Sequence, residues 1–357
     1  MTIPYLHDDA GLPRAWSPWF SHEYIAYFCV KTVDRLTALP PVPVAANPRW
    51  QDKVWPAGPR HIDIYKECYQ EHRQVDPLWS FDQRKRNGDF ARDVPPGKSI
   101  EPWKIYLLYS TEPDTYADED LLLHKNQAMT GGSRGWRHMH FKLMGSTYGI
   151  APKSFRVHRD LARLAFSKGS DYWAWRYLAR AGHYLADLGA PFHVRAMPGF
   201  YLLRNIFSRG ELFHTVTALH QSYEIFVERR FREGFAPFAE ALTRGAKEGQ
   251  GAPEKLDARL KGYIERARSR QKKIFYHLHD GFGPELRAAF APMKQGGGHD
   301  TASLAARCAA DAVRILFKKE HQSRLARLEK ITCGSLADVG WMQGALLGGF
   351  QSRTSGA

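Results

Sequence analysis

The 357-residue sequence predicts an all-α fold, a multi-helix bundle carrying one Pro-rich irregular insertion. Apolar residues recur at helical spacing almost throughout, and short alternating strands are hard to find. Prolines crowd one stretch, residues 39–101, where no long helix can persist. Long helices joined by irregular loops imply a bundle, and no internal repeat divides it. An apolar fraction of 43% with 13% aromatics is ample for a packed core.

In chain order, the first helix is expected over residues 18–38. The insertion follows, with Pro40, Pro41, Pro43, Pro48, Pro56, Pro59, Pro77, Pro95 and Pro96 as its breakers. Trp50, Trp55 and Trp79 among them suggest that it packs on the body, with one short helix near 61–73. Further helices are expected over 102–112, 155–167, 171–189, 212–232, 254–279 and 301–329. Residues 1–335 then form one helical metal-binding domain. The Gly- and Ser-rich residues 336–357 read as a loose tail.

Composition narrows the function. Lys and Arg number 51 against 37 Asp and Glu, a net charge of +14, which suits anionic partners such as phosphate esters, nucleic acid or an acidic membrane. Cys29, Cys68, Cys308 and Cys333 lack the short spacings of a thiolate zinc site, so a metal must be held by His, Asp and Glu. No apolar run reaches the roughly 20 residues of a transmembrane helix. The first fifteen residues lack the apolar stretch of a secretory leader, and the compartment is left open.

Residues 182–194 read GHYLADLGAPFHV, and 220–227 read HQSYEIFV. His183 and Asp187 are four apart, as are His220 and Glu224, so each pair shares a helix face. Pro191 ends or turns the first helix, and His193 follows. Zinc usually takes four ligands from imidazole nitrogen and carboxylate oxygen, and facing helices can supply them rigidly. His193, His220 and Glu224 would leave a position open for water or substrate, the pattern of catalytic rather than structural zinc. Charged groups on the otherwise apolar helix YWAWRYLARAGHYLADL also need partners, which a metal provides.

His183, Tyr184, Leu185, Asp187, Pro191 and His193, followed by His220, Tyr223, Glu224, Phe226 and Val227, resemble the bacterial zinc-dependent phospholipases C. The resemblance covers the ligand helices and is thin beyond them. It implies that His183, Asp187, His193, His220 and Glu224 are zinc ligands, with Asp187 bridging two ions. It points to Asp114 in YSTEPD as a further ligand that serves in part as a base, with Asp118 and Asp120 as rivals. The expected His-Phe pair points to His140 in WRHMHF, with His138 as competitor. AWSPWFSH resembles the head of the family's first helix and makes His22 a ligand of a third zinc, beside Trp16. In secreted members that Trp offers a free amine, whereas Trp16 follows fifteen residues.

On this assignment Asp114, His140, His183 and Asp187 hold one Zn2+. His193, His220 and Glu224 hold a second, and His22 with Asp187 a third. The implied reaction is attack of metal-activated water on the phosphorus of a phospholipid, with Arg137, Arg195 and Arg204 as candidate phosphate clamps. Single-strand-specific zinc nucleases share the fold and remain, with a phosphatase of the same fold, the alternative enzyme, although Glu224 after Tyr223 and RAMPGF after His193 depart from the nuclease pattern. A non-enzymatic helical protein with a degenerate metal site is the third reading. In that reading the basic stretches 224–235 and 265–275 meet an anionic membrane.

Overall fold

A computed structural model describes residues 21–45, 98–115, 124–130, 132–143, 145–205, 207–294 and 301–351. Trp16, Trp19, the body of the Pro-rich segment with its expected helix 61–73, Asp118 and Asp120 lie outside the described residues.

The architecture is mostly helical. Helix α1 (Ser21–Val30) stops short of the expected 18–38, and the short α2 (Asp34–Thr37) follows. Between them the Thr32 hydroxyl donates to the Cys29 carbonyl at 2.7 Å, offering the backbone an alternative to helix. The two ends of the Pro-rich segment meet as an antiparallel pair, β1 (Val42–Pro43) with β2 (Ser99–Ile100). Helices α3 (Pro102–Tyr109), α4 (Glu112–Thr115) and α5 (Gly132–His138) come next. A small hairpin follows, β3 (Phe141–Leu143) and β4 (Ser146–Tyr148), which the periodicity did not indicate.

The centre of the molecule is α7 (Asp171–Asp187), flanked by its antiparallel neighbour α6 (Ala151–Ser167) and by α3. From Tyr172 to Asp187 every residue of α7 is buried, as its all-round apolar pattern requires. After α7 come the short α8 (Pro191–Val194) and α9 (Gly199–Arg204), and then α10 (Arg209–Arg232). The expected helix 254–279 extends to α12 (Leu256–Ala289), and the expected 301–329 splits into α13 (Thr301–Leu316) and α14 (Gln322–Gln351). The split falls at a 3-10 turn, Lys319–His321.

Helix α11 (Ala236–Gln250) was not expected, and it packs against the described part of the segment expected as a loose tail. Residues 336–351 are helical, with Leu336, Val339, Met342, Leu346, Leu347 and Phe350 in the core. Their glycines resemble tail composition, yet Gly340, Gly344 and Gly348 form a row at helical spacing against α11. A Cβ on Gly344 would sit 2.0 Å from the Ala246 carbonyl oxygen, and one on Gly249 1.9 Å from that of Trp341. The two backbones therefore touch, a contact that only glycine permits at those positions. Among the described residues, no helix is long and apolar enough to cross a membrane.

Candidate metal centre

The two i,i+4 pairs lie on α7 and α10, and the intervening turn brings a third element between them. Helix α7 ends after Asp187, and Pro191 starts α8 one turn later. His193 N–H donates to the Ala190 carbonyl at 3.1 Å. That short helix puts His193 Nδ1 3.0 Å from Asp187 Oδ1 and His193 Nε2 3.8 Å from Glu224 Oε1. His220 Nε2 contacts the same Glu224 oxygen.

Helix α1 contributes His22, whose ring stacks on His183 with centroids 3.9 Å apart and whose Nε2 is 3.4 Å from Asp187 Oδ1. Asp114, on α4, places Oδ1 3.8 Å from His183 Nε2 and 3.6 Å from His138 Nδ1. His138 Nδ1 also lies 2.8 Å from Asp187 Oδ2 and 2.9 Å from His183 Nε2.

Three groups result: His22, Asp114 and His183; His138, His183 and Asp187; and His193, His220 and Glu224. In each group the ligand atoms lie within 4.8 Å of one another. Ligand bonds of 2.0–2.2 Å put the corners of a tetrahedral zinc shell about 3.3–3.6 Å apart. The His22–Asp187, His138–Asp114, His183–Asp114 and His193–Glu224 separations fall near that edge length, whereas the remaining ones are hydrogen-bond distances or shorter.

Asp187 Oδ1 sits where these groups meet. It is buried, with His22 and His193 nitrogens within 3.4 Å, yet it makes no hydrogen bond of ordinary geometry among the described residues. The donor set of imidazole and carboxylate, with no thiolate, fits zinc and its borderline neighbours. His183 Nδ1 hydrogen-bonds the Ser110 carbonyl at 2.7 Å, so its Nε2 is the atom turned to the centre.

The electrostatics agree. Burial alone would raise the Asp187 pKa, but His183, His138 and His193 hold it well below the usual carboxylate range. Burial pulls His193 down, and Asp187 with Glu224 outweighs it, leaving its pKa at about 10. For His138 burial prevails and the value falls to about 4. Metal ligation requires these imidazoles and carboxylates deprotonated, so a cation at this centre would displace those protons.

His140, the residue that the resemblance favoured, is not in any of these groups. Helix α5 ends on His138, which is directed inward, and the chain then turns into β3. His140 serves through its backbone: its N–H donates to the His193 carbonyl at 2.8 Å, and its carbonyl accepts from Arg268 at 3.1 Å. Arg137 is not a phosphate clamp either. It is buried, donating to the Tyr184 hydroxyl and, at 3.0 Å, to the Pro113 carbonyl. Arg195 donates to the Arg268 carbonyl at 3.3 Å, whereas Arg204 is exposed on α9.

Sequence reasoning passed over the frame that holds Asp114. Glu112 is buried between Arg176 and Arg180 of α7, accepting from Arg180 Nε at 2.7 Å and from Arg176 Nε at 3.2 Å. Arg176, Arg180, His183 and Asp187 form one stripe along α7, and that stripe was the available signal. With the Arg137 bond to Pro113, both residues before Asp114 are pinned. A cavity of about 40 Å³, lined by His22, Tyr223, Glu224, Thr332 and Ser335 among others, lies beside the centre. It is wide enough for water but too small for a phospholipid headgroup.

No protein-family model, curated protein or solved structure matches the chain. The chemistry of the centre must be read from its own donors.

Proposed function

We propose that this protein is a zinc-dependent phosphodiester hydrolase of the phospholipase C type, built on the helical bundle of that family. The observation that carries the reading is the position of Asp187, whose two oxygens touch imidazoles of two separate ligand groups. A carboxylate so placed is suited to bridging a cation held by Asp114, His138 and His183 and another beside His22, while His193, through the Nε2 that faces Glu224, joins His220 and Glu224 in the remaining shell.

Zinc bound there would supply water of lowered pKa and a clamp for the non-bridging oxygens of a phosphodiester. The chain supplies the rest. Ser110 orients His183, and the Glu112 frame holds Asp114 against His138 and His183, where its carboxylate can take a proton from an attacking water. His220 is the ligand least covered by protein, at 16% exposure, and substrate is assigned to approach there. Phospholipid is the preferred substrate because the ligand motif resembles the phospholipases and departs from the nucleases at Glu224.

The test is zinc per chain on protein purified without chelator, beside Glu224→Ala, followed by turnover of phosphatidylcholine and of single-stranded DNA. Two or three zincs that fall in the variant, with phospholipid turnover lost in parallel, support the reading. Zinc-dependent cleavage of DNA alone replaces it with the nuclease reading. Absence of zinc overturns both.

A further inference from the structure

The large apolar side chains exposed among the described residues fall within one stretch of chain, residues 200–213. Phe207 is 99% exposed, Phe200 71% and Leu203 70%, in the connection between α8, which carries His193, and α10, which carries His220, and Phe213, 43% exposed, follows in the second turn of α10. Exposed large apolar side chains are costly in water when they form a patch, and such patches mark interaction surfaces.

The patch is mounted rather than loose. Tyr201 packs its ring on Phe275 and His279 of α12, with centroids 4.9 Å apart in each case. Anchored there, α9 turns Phe200, Leu203 and Arg204 outward. Phe213 precedes His220 by seven residues and Glu224 by eleven, so the three share one face of α10. At 1.5 Å per residue, Phe213 is about 10 Å along the helix from the least covered metal ligand.

Charge selects the partner. Residues 195–214 contain Arg195, Arg204 and Arg209 against Glu211, three positive to one negative, in a chain of net charge +14. Arg204 and Lys272, the latter one turn before Phe275, are exposed beside the patch; Glu211 and Asp280 are the exposed acids nearby. Aromatic and leucine side chains among cations suit the headgroup region of an anionic bilayer, where the rings enter the acyl boundary and the guanidinium remains among phosphates.

We infer that Phe200, Leu203, Phe207 and Phe213, flanked by Arg204 and Lys272, dock this protein on an anionic lipid surface with the His220 side of the metal centre toward the bilayer. The inference adds a partner and an orientation to the phospholipase reading, and its binding test does not depend on turnover.

The experiment uses the full chain carrying Glu224→Gln, so that lipid is not consumed, with sedimentation against phosphatidylcholine vesicles with and without phosphatidylglycerol. Binding to the anionic vesicles, weakened by salt, is expected. Adding Phe207→Ser is expected to weaken it about tenfold or more, the loss of one inserted aromatic group, with the circular dichroism spectrum unchanged. In the otherwise unmodified chain, Phe207→Ser should leave hydrolysis of a short-chain, water-soluble phosphodiester as it was. Equal vesicle binding by Phe207→Ser and Phe200→Ser variants overturns the inference. So does a concentration-dependent dimer that the same substitutions abolish, without vesicle binding, since the patch then belongs to a second copy. A chain that binds vesicles but never hydrolyses phospholipid keeps the docking surface and loses the hydrolase reading. One that hydrolyses soluble substrate without binding vesicles does the reverse.

Discussion

Replacing Glu112 by Gln tests how the centre is held rather than what it binds. Glu112 and Arg176 are almost fully buried, and the carboxylate is shared with Arg180, itself buried. Arg176 is also wrapped by aromatic rings, its guanidinium 4.0 Å from the Tyr109 ring centroid and 4.7 Å from that of Trp173. Gln keeps the shape and one acceptor but removes the charge that compensates two guanidinium groups. Breaking a buried ion pair from one side costs about 3–5 kcal/mol, because the remaining charge stays out of water. At about 2 °C per kcal/mol for a large domain, the melting temperature should fall by about 6–10 °C.

The pH dependence carries the sign. Burial acts to raise the Glu112 pKa, but Arg176 and Arg180 outweigh it and depress the folded value far below the ordinary one. A depressed carboxylate contributes stability above its unfolded pKa of about 4.3 and loses that contribution as pH falls. Urea unfolding followed by far-UV circular dichroism should therefore show a constant gap between the two proteins above about pH 5 and a narrowing one below. Because Glu112 pins the segment that ends in Asp114, zinc affinity should also fall, by about 10–100-fold. Converting all three residues together, Glu112→Leu with Arg176→Met and Arg180→Met, should recover most of the lost stability. A Glu112→Gln protein within about 1 kcal/mol of the parent, with zinc content unchanged, would refute the reasoning.

Asp187→Asn should release more zinc per chain than Glu224→Ala, since Asp187 serves both ligand groups, and turnover should drop by about 100-fold or more; equal zinc loss by elemental analysis would argue against a bridge. His138→Ala should deplete zinc whereas His140→Ala should not, because His140 contributes its backbone rather than its ring; the opposite result would place the ligand on β3. Gly344→Leu should destabilise by about 1–3 kcal/mol or more through collision with the Ala246 carbonyl, read as a lower urea midpoint. Gly262→Ala on α12, where an added Cβ would meet the end of the Arg266 side chain at an ordinary 3.5 Å, should be neutral or slightly stabilising in the same assay.

How far the centre was legible depends on the distance over which each signal acts. His183 with Asp187 and His220 with Glu224 follow from helical repeat alone, and Pro191 marks the turn that presents His193. His22 and Asp114 were reached through resemblance, since nothing local ties α1 or α4 to α7. The choice of His138 over His140 depends on the residue at which α5 stops, a boundary set by packing rather than by periodicity. The frame of Glu112, Arg176 and Arg180 escaped because a charged residue on an apolar helix reads the same whether it faces a metal, a carboxylate or solvent.

The sequence by itself determined a helical chain, its central apolar helix and the two i,i+4 pairs of histidine and carboxylate, because these rest on interactions within a few residues. Tertiary structure decided the rest. It drew His22, Asp114 and His138 to Asp187 from distant segments, and it turned a glycine-rich end into a core helix. There the glycines do not loosen the chain. They let α14 lie against α11, and that contact exists only when both helices are in place.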